Sequence, residues 1–409
     1  MTDSLIPRDG DEVRSAIEWA LAEGKTLEVV GHGTKRTIGR AAQWDLTLDL
    51  SALAGVTLYE PAELVLSARA GTPLAEIEAL LTANNQQLAF EPMDYSVVLG
   101  DPGGRGTLGG ALAANLSGPR RIKAGAARDH FLGFAAVSGR GETFKSGGRV
   151  VKNVTGYDLS KLMAGSWGTL AVMTDVTVKV LPSPETEETL ALRGLDDRAA
   201  MEALNRAMGS AGEVSGAAHL PAGVAARTST SRLAAGEALT VLRLEGVLPS
   251  IRHRRQLLEA ILKPYGELAV LADNDSRALW RSIRDVTPFV AAESGRERPL
   301  WRISVAPKQG PELVSRIANV VDAEVLYDWA GGLIWMLVKE SDGAATARVR
   351  SALAAIGGHA TLVRAPASIR AAVAVFKPQD QILAALTKRV KESFDPQGVL
   401  NPGRMWAGV

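Results

Sequence analysis

Residues 103–118 read Gly-Gly-Arg-Gly-Thr-Leu-Gly-Gly-Ala-Leu-Ala-Ala-Asn-Leu-Ser-Gly. The six glycines leave long runs of backbone N–H with no side chain in the way. Thr107 stands where it can cap a short helix beginning at Leu108. Backbone donors converging on a helix N-terminus make a seat for a phosphate or pyrophosphate, so the stretch implies a nucleotide-type cofactor. Gly104-Arg105-Gly106-Thr107-Leu108-Gly109 also satisfies G-x-G-x-x-G, with Asp129 downstream. A Rossmann unit, however, needs one long helix and a second strand before its acid. Gly118-Pro119 should stop the helix after about two turns. Asp129 precedes the next strand-like run, Phe131 to Val137, instead of following it. That context argues against an NAD site, and a plain glycine-rich surface loop is the bland alternative.

Two further clusters favour a cofactor. Thr26 to Val30 is a β-rich run that turns at Gly31-His32-Gly33-Thr34-Lys35, where Thr34 and Lys35 can reach a phosphate oxygen. Lys152-Asn153-Val154-Thr155-Gly156-Tyr157-Asp158-Leu159 precedes Gly165-Ser166-Trp167-Gly168-Thr169-Leu170 and a strand from Ala171 to Val180. In that strand Val172, Val176, Val178 and Val180 alternate with more polar positions.

In this order, with Arg128-Asp129-His130-Phe131-Leu132-Gly133 between them, the clusters resemble the FAD-binding domain of the vanillyl-alcohol oxidase and D-lactate dehydrogenase superfamily, over roughly residues 10–182. Phe394-Asp395-Pro396-Gln397-Gly398-Val399-Leu400-Asn401-Pro402-Gly403-Arg404 resembles the closing segment of its 2-hydroxy-acid branch. Over its whole length the chain is similar to the smaller FAD-binding subunits of bacterial glycolate oxidases (glycolate dehydrogenases). The resemblance implies an α+β fold: a two-subdomain FAD-binding domain and a ferredoxin-like-repeat cap. It places Gly31, His32, Gly33, Thr34 and Lys35 at one pyrophosphate loop, and Gly106, Thr107, Gly109 and Gly110 at the second. Asn115, Asp129, Asn153 and Val172 become further cofactor contacts. Covalent members carry a histidine after the second glycine of the first loop, where this chain has Thr34. The implied FAD is therefore non-covalent. Valine at Gly109 or Gly110 should fill the space where backbone meets pyrophosphate and abolish FAD retention.

At 409 residues the chain can hold two or three domains, and its hydrophobic (46%) and charged (22%) fractions are those of a globular protein. A formal net charge of +1 provides no field for nucleic acid. The absence of cysteine excludes disulfides, thiolate nucleophiles and cysteine-ligated iron–sulfur clusters in this chain. No signal pattern and no apolar run of membrane-spanning length stands out, so a cytoplasmic location is expected, with peripheral attachment through partners left open.

Residues 1–182 are expected to be the FAD-binding domain, in which Thr72 as N-cap and Pro73 at the first helical position open a helix. Residues 183–374 show strand, helix, strand, strand, helix, strand twice over, the order of a ferredoxin-like unit. Residues 375–409 should pack back on the first domain through a helix whose Ile382, Leu386, Val390 and Phe394 fall on one stripe.

Oxidising a hydroxy acid needs a base and a cation for the carboxylate. The D-lactate-type relatives carry a histidine cluster, whereas His32, His130, His219, His253 and His359 are isolated here, without metal-ligand spacing. His219 and His359 are expected to be structural. Arg281, Arg284, Arg302, Arg364 and Arg370 can each clamp a carboxylate, and none stands out by pattern. The catalytic residues stay unknown from sequence. The asymmetry points to a subunit whose implied partners are a larger FAD-containing catalytic subunit and a cysteine-rich iron–sulfur subunit passing electrons to quinone. A stand-alone FAD dehydrogenase of another hydroxy acid or alcohol, and a structural subunit without flavin, are the alternatives.

Overall fold

The computed structural model describes residues 3–148, 156–228, 231–290, 298–339 and 342–409. The helix Gly10–Ala22 starts at Asp9, whose carboxylate accepts the Glu12 N–H, and turns Val13, Ile17 and Ala20 inward at helical spacing. They pack on a parallel sheet of β1 (Ser4–Leu5), β2 (Leu27–Val30) and β3 (Leu46–Asp49), with β3 in the middle. Next come β4 (Val56–Glu60), β5 (Val65–Arg69), β6 (Gln86–Gln87), β7 (Phe131–Ser138), β8 (Thr143–Gly147), β9 (Ala171–Lys179) and β10 (Leu181–Pro182). Five of them form an antiparallel sheet ordered β4-β5-β9-β7-β8, and β10 pairs with β6.

The large sheet is antiparallel throughout. It contains β11 (Thr186–Arg193), β12 (Gly216–Leu220), β13 (Leu239–Gly246) and β14 (Ala269–Ala272), then β15 (Leu300–Ser304), β16 (Ala323–Asp328), β17 (Leu333–Val338) and β18 (His359–Arg364). Its order is β14-β11-β13-β12-β16-β17-β15-β18. Each half therefore has the strand order of a ferredoxin-like unit, and the second strands of the two units meet edge to edge at His219 and Tyr327. Buried His219 supports this seam: its ring bonds Thr240 at 2.9 Å and Asp197 at 3.3 Å, and Asp197 also accepts the Tyr327 hydroxyl at 2.6 Å.

Three local expectations are corrected. The helix after Thr107 runs only Leu108–Ala113 and ends ahead of Gly118-Pro119, because Asn115 adopts a left-handed φ of 51°. Thr72 is not a helix cap: its hydroxyl donates to Arg69 O and accepts the Gly55 N–H, and the helix Leu74–Ala83 begins after Pro73. The stripe on Gln381–Phe394 is only half used. Val390 and Phe394 pack on the five-stranded sheet, while Ile382 is 86% exposed.

That last helix is held instead by a charge. Lys391 donates to Thr169 O, Leu400 O and the Asp395 carboxylate, and Asp395 accepts the Val399 and Leu400 N–H groups. Burial draws the Lys391 pKa down and the Asp395 charge resists that shift. The closing strand of chain then bridges Leu400 to Leu27 beside β2, which brings Arg404 to the first glycine turn.

Candidate functional site

A groove opens between the parallel sheet and the five-stranded sheet. Gly31 to Lys35, at the end of β2, line one side; Thr107, Gly109 and Gly110 line the other; Val172 on β9 lies at the floor. The two glycine loops all but touch, since a Cβ on Gly31 would sit 2.6 Å from the Thr107 hydroxyl. Thr107 caps its helix by accepting the Gly110 N–H at 3.2 Å.

Three cations line this space; Arg36 is paired with Glu28 at 3.0 Å, which leaves Lys35 and Arg404. The Lys35 ammonium donates to Thr34 at 3.2 Å and meets no carboxylate within 4 Å among the described residues. Burial lowers its pKa to about 8, against the pull of Asp94 and helped by Arg404. Arg404 donates to Lys35 O at 2.8 Å, but its buried Nε has no partner, and burial lowers its pKa to about 10. Amide donors, two hydroxyls and two under-paired cations around a glycine cradle fit a pyrophosphate.

The other sequence candidates lie elsewhere. Gly106 is outside the groove lining, and its carbonyl accepts the Leu74 N–H. Asp129 accepts the Ala126 N–H at 2.9 Å and Asn115 accepts the Arg128 N–H at 3.1 Å, so both tie down the turn behind the helix. Asn153 falls outside the described residues. Arg404 and Trp167 line the groove without having been singled out, although both stand in motifs whose spacing had been noted. Gly109 is glycine for a reason other than the one expected. A Cβ there would lie 2.7 Å from Ala70 Cβ and O, so protein packing forbids it.

A second cavity of about 730 Å³ lies between this part and the large sheet, and shares Ala114 and Trp167 with the groove. Asn115, Tyr95 and Arg121 face it from one side, Arg302, Trp329 and His359 from the other. Four of the candidate carboxylate arginines have structural work or lie elsewhere. Arg284 pairs with Asp285, Arg364 donates to the Val98, Phe289 and Arg298 carbonyls, Arg370 reaches Gly39 O, and Arg281 does not border the cavity. His130 is buried against Ala124 O. Among the described residues no group of three or more His, Cys, Asp or Glu side chains can hold a metal, and no helix is long and apolar enough to cross a membrane.

Two small sheets with a cofactor groove between them, covered by a broad antiparallel sheet, define an α+β FAD-binding oxidoreductase of the vanillyl-alcohol oxidase type. p-Cresol methylhydroxylase superposes with a TM-score of 0.72 at 12% identity, covering 98% of this chain and 88% of that one. Alkyldihydroxyacetonephosphate synthase gives 0.71 at 16%, covering 98% and 75%. The FAD binding domain family matches residues 4–147, and the C-terminal domain of FAD linked oxidases matches residues 375–405. Glycolate oxidase subunit GlcE of Escherichia coli is 33% identical over 96% of this chain and 95% of its own length. Glycolate oxidase subunit GlcD of Bacillus subtilis is 24% identical over 100% and 89%. The chain belongs to the FAD-linked oxidase family that includes these subunits. It is an FAD-dependent oxidoreductase.

Proposed function

We propose that this chain is the FAD-holding subunit of a glycolate (2-hydroxy acid) dehydrogenase complex. In that complex a larger FAD-containing subunit oxidises the acid, and a cysteine-rich iron–sulfur subunit carries electrons on to quinone. The groove carries the proposal, because it presents amides, hydroxyls and the under-paired Lys35 and Arg404 to one anion-sized space. The cysteine-free sequence supports the division, since any cysteine-ligated cluster must belong to a partner. Bound FAD would supply reversible acceptance of a hydride or of single electrons.

The residues of this chain then have defined tasks. The N–H groups of Gly31, Gly33 and Thr34 would donate to the pyrophosphate, while Gly109 and Gly110, whose N–H groups bond Ala70 O and the Thr107 hydroxyl, would give it room. Lys35 and Arg404 would neutralise it, and Val172 would offer main-chain contact beside it. Thr34, 8% exposed, stands where covalent relatives place histidine, and a hydroxyl provides no ring nitrogen for a bond to flavin carbon. Acid precipitation should therefore release all flavin into the supernatant. Yellow colour retained in the pellet would refute non-covalent binding.

The test of function is the absorption spectrum of the purified chain with glycolate under anaerobic conditions, before and after adding the larger subunit. Flavin that stays oxidised alone and bleaches once the partner is present supports a relay subunit. Bleaching of the isolated chain would assign it the oxidation of glycolate itself.

A further inference from the structure

Strand alternation decides which side chains of the large sheet meet the N-terminal part. Trp301, Ile303, Ala360 and Leu362 belong to the core beneath the helices. Arg302, Ser304, His359 and Thr361 therefore take the opposite face, and the pairs Arg302–Thr361 and Ser304–His359 set them side by side. This polar patch forms one wall of the 730 Å³ cavity. Arg121, just after the turn at Gly118, contributes from the other.

Both guanidiniums lie against the Trp329 indole. Arg121 lies 4.3 Å and Arg302 5.1 Å from the Trp329 ring centre, and the Trp329 N–H donates to Gly118 O at 3.0 Å, fixing the ring between the two walls. Among the described residues neither guanidinium has a carboxylate within 4 Å. Asp129 is the counter-charge that Arg121 feels, and it is already engaged with Ala126 N–H. His359 registers the excess: desolvation in the cavity wall, then Arg302, Lys377 and Arg121, draw its pKa down. Two arginines without a carboxylate partner, facing a concave space lined also by Trp167, Trp329, Trp406 and Tyr95, describe a site for a small anion.

We propose that Arg121 and Arg302 clamp the carboxylate of a small organic acid in this cavity, so that the chain has an acid-binding site of its own. The proposal deepens the FAD-binding reading and rests on it, because the cavity shares a wall with the cofactor groove. Each wall supplies one arginine, so an acid in the clamp would also draw the two parts together.

The FAD-loaded chain is titrated with oxalate, following flavin absorbance and the heat of binding, with inorganic phosphate as the comparison anion. Saturable oxalate binding is expected to weaken about tenfold or more in Arg121→Met and in Arg302→Met. It should vanish in the double variant and be partly rescued by Arg302→Lys, with flavin content unchanged in all. Oxalate binding indifferent to both substitutions, or phosphate bound equally well, would overturn the clamp. Loss of flavin from either single variant would assign the arginines to the cofactor and overturn it too. A parent chain without flavin would instead count against the cofactor reading, and calorimetry on that chain would still test the clamp.

Discussion

Replacing Arg243 by methionine is expected to destabilise the protein by about 3 kcal/mol and to loosen the large sheet from the N-terminal part. Arg243, on β13, is 1% exposed and forks both nitrogens onto the Glu91 carboxylate at 2.9 Å each. Arg120 answers in the opposite direction, making three hydrogen bonds to the Glu245 carboxylate of β13. The four charges cross the junction in a ring, and each carboxylate is flanked by both arginines. Without Arg243, two nearly buried carboxylates keep only Arg120, and uncompensated buried charge is among the costliest defects a protein can carry. Thermal unfolding checks this. A Tm unchanged within about 1 °C, which for a chain of 409 residues is roughly 1 kcal/mol or less, would show that the ring contributes little.

The same ring sets an acid limit. Burial would raise the Glu245 pKa, but Arg243 and Arg120 prevail and lower it to about 2 from an ordinary 4.5; Glu91 is lowered for the same reason. A carboxylate depressed in the folded state contributes fully above its unfolded pKa and loses that contribution as pH falls toward the folded value. Glu245 should thus account for about 3 kcal/mol at neutral pH, lost between about pH 4.5 and 2. In Arg243→Met the Glu245 pKa is less depressed, so the loss should be smaller and complete at a higher pH. Denaturant midpoints measured from pH 7 to 3 would show the two curves converging in acid, and parallel curves would contradict the linkage.

Gly109→Val should abolish FAD retention. The Gly109 N–H donates to Ala70 O at 2.9 Å, and a Cβ would lie 2.7 Å from that oxygen and 3.0 Å from Ala70 Cα. Backbone cannot give way as a side-chain tip can, so the loop must leave β5 and carry Thr107 away from Gly31. Gly110→Ala separates this effect from occupancy of the groove. Its Cβ would meet the Thr107 hydroxyl at 2.9 Å and Lys35 Nζ at 3.5 Å, side-chain atoms and not backbone, so the fold should survive with a weakened cap and weakened flavin binding. Flavin-to-protein ratios and circular-dichroism melts of both variants read the two effects apart. Full flavin in Gly109→Val would mean that the cofactor sits elsewhere.

Local chemistry was legible in the chain. Glycine where backbones approach, the Thr107 cap and alternating valines on β9 are properties of neighbouring residues, so sequence by itself determined the two loops, most element positions and the cofactor class. The repeated strand–helix order likewise predicted two ferredoxin-like units. Contacts between distant residues were not legible. Asp129 reads as a cofactor contact and Lys391 as an ordinary surface charge until folding gives the one a turn to cap and the other a carboxylate to meet. Arg302 looked no different from Arg364 until the sheet aimed one at carbonyls and left the other facing a cavity with Arg121, some 180 residues away in sequence. Sequence patterns record which way a residue faces on its own strand or helix, through periods of about 2 and 3.6. What stands across the gap, and whether a charge finds a partner there, is decided only when the sheets close on one another.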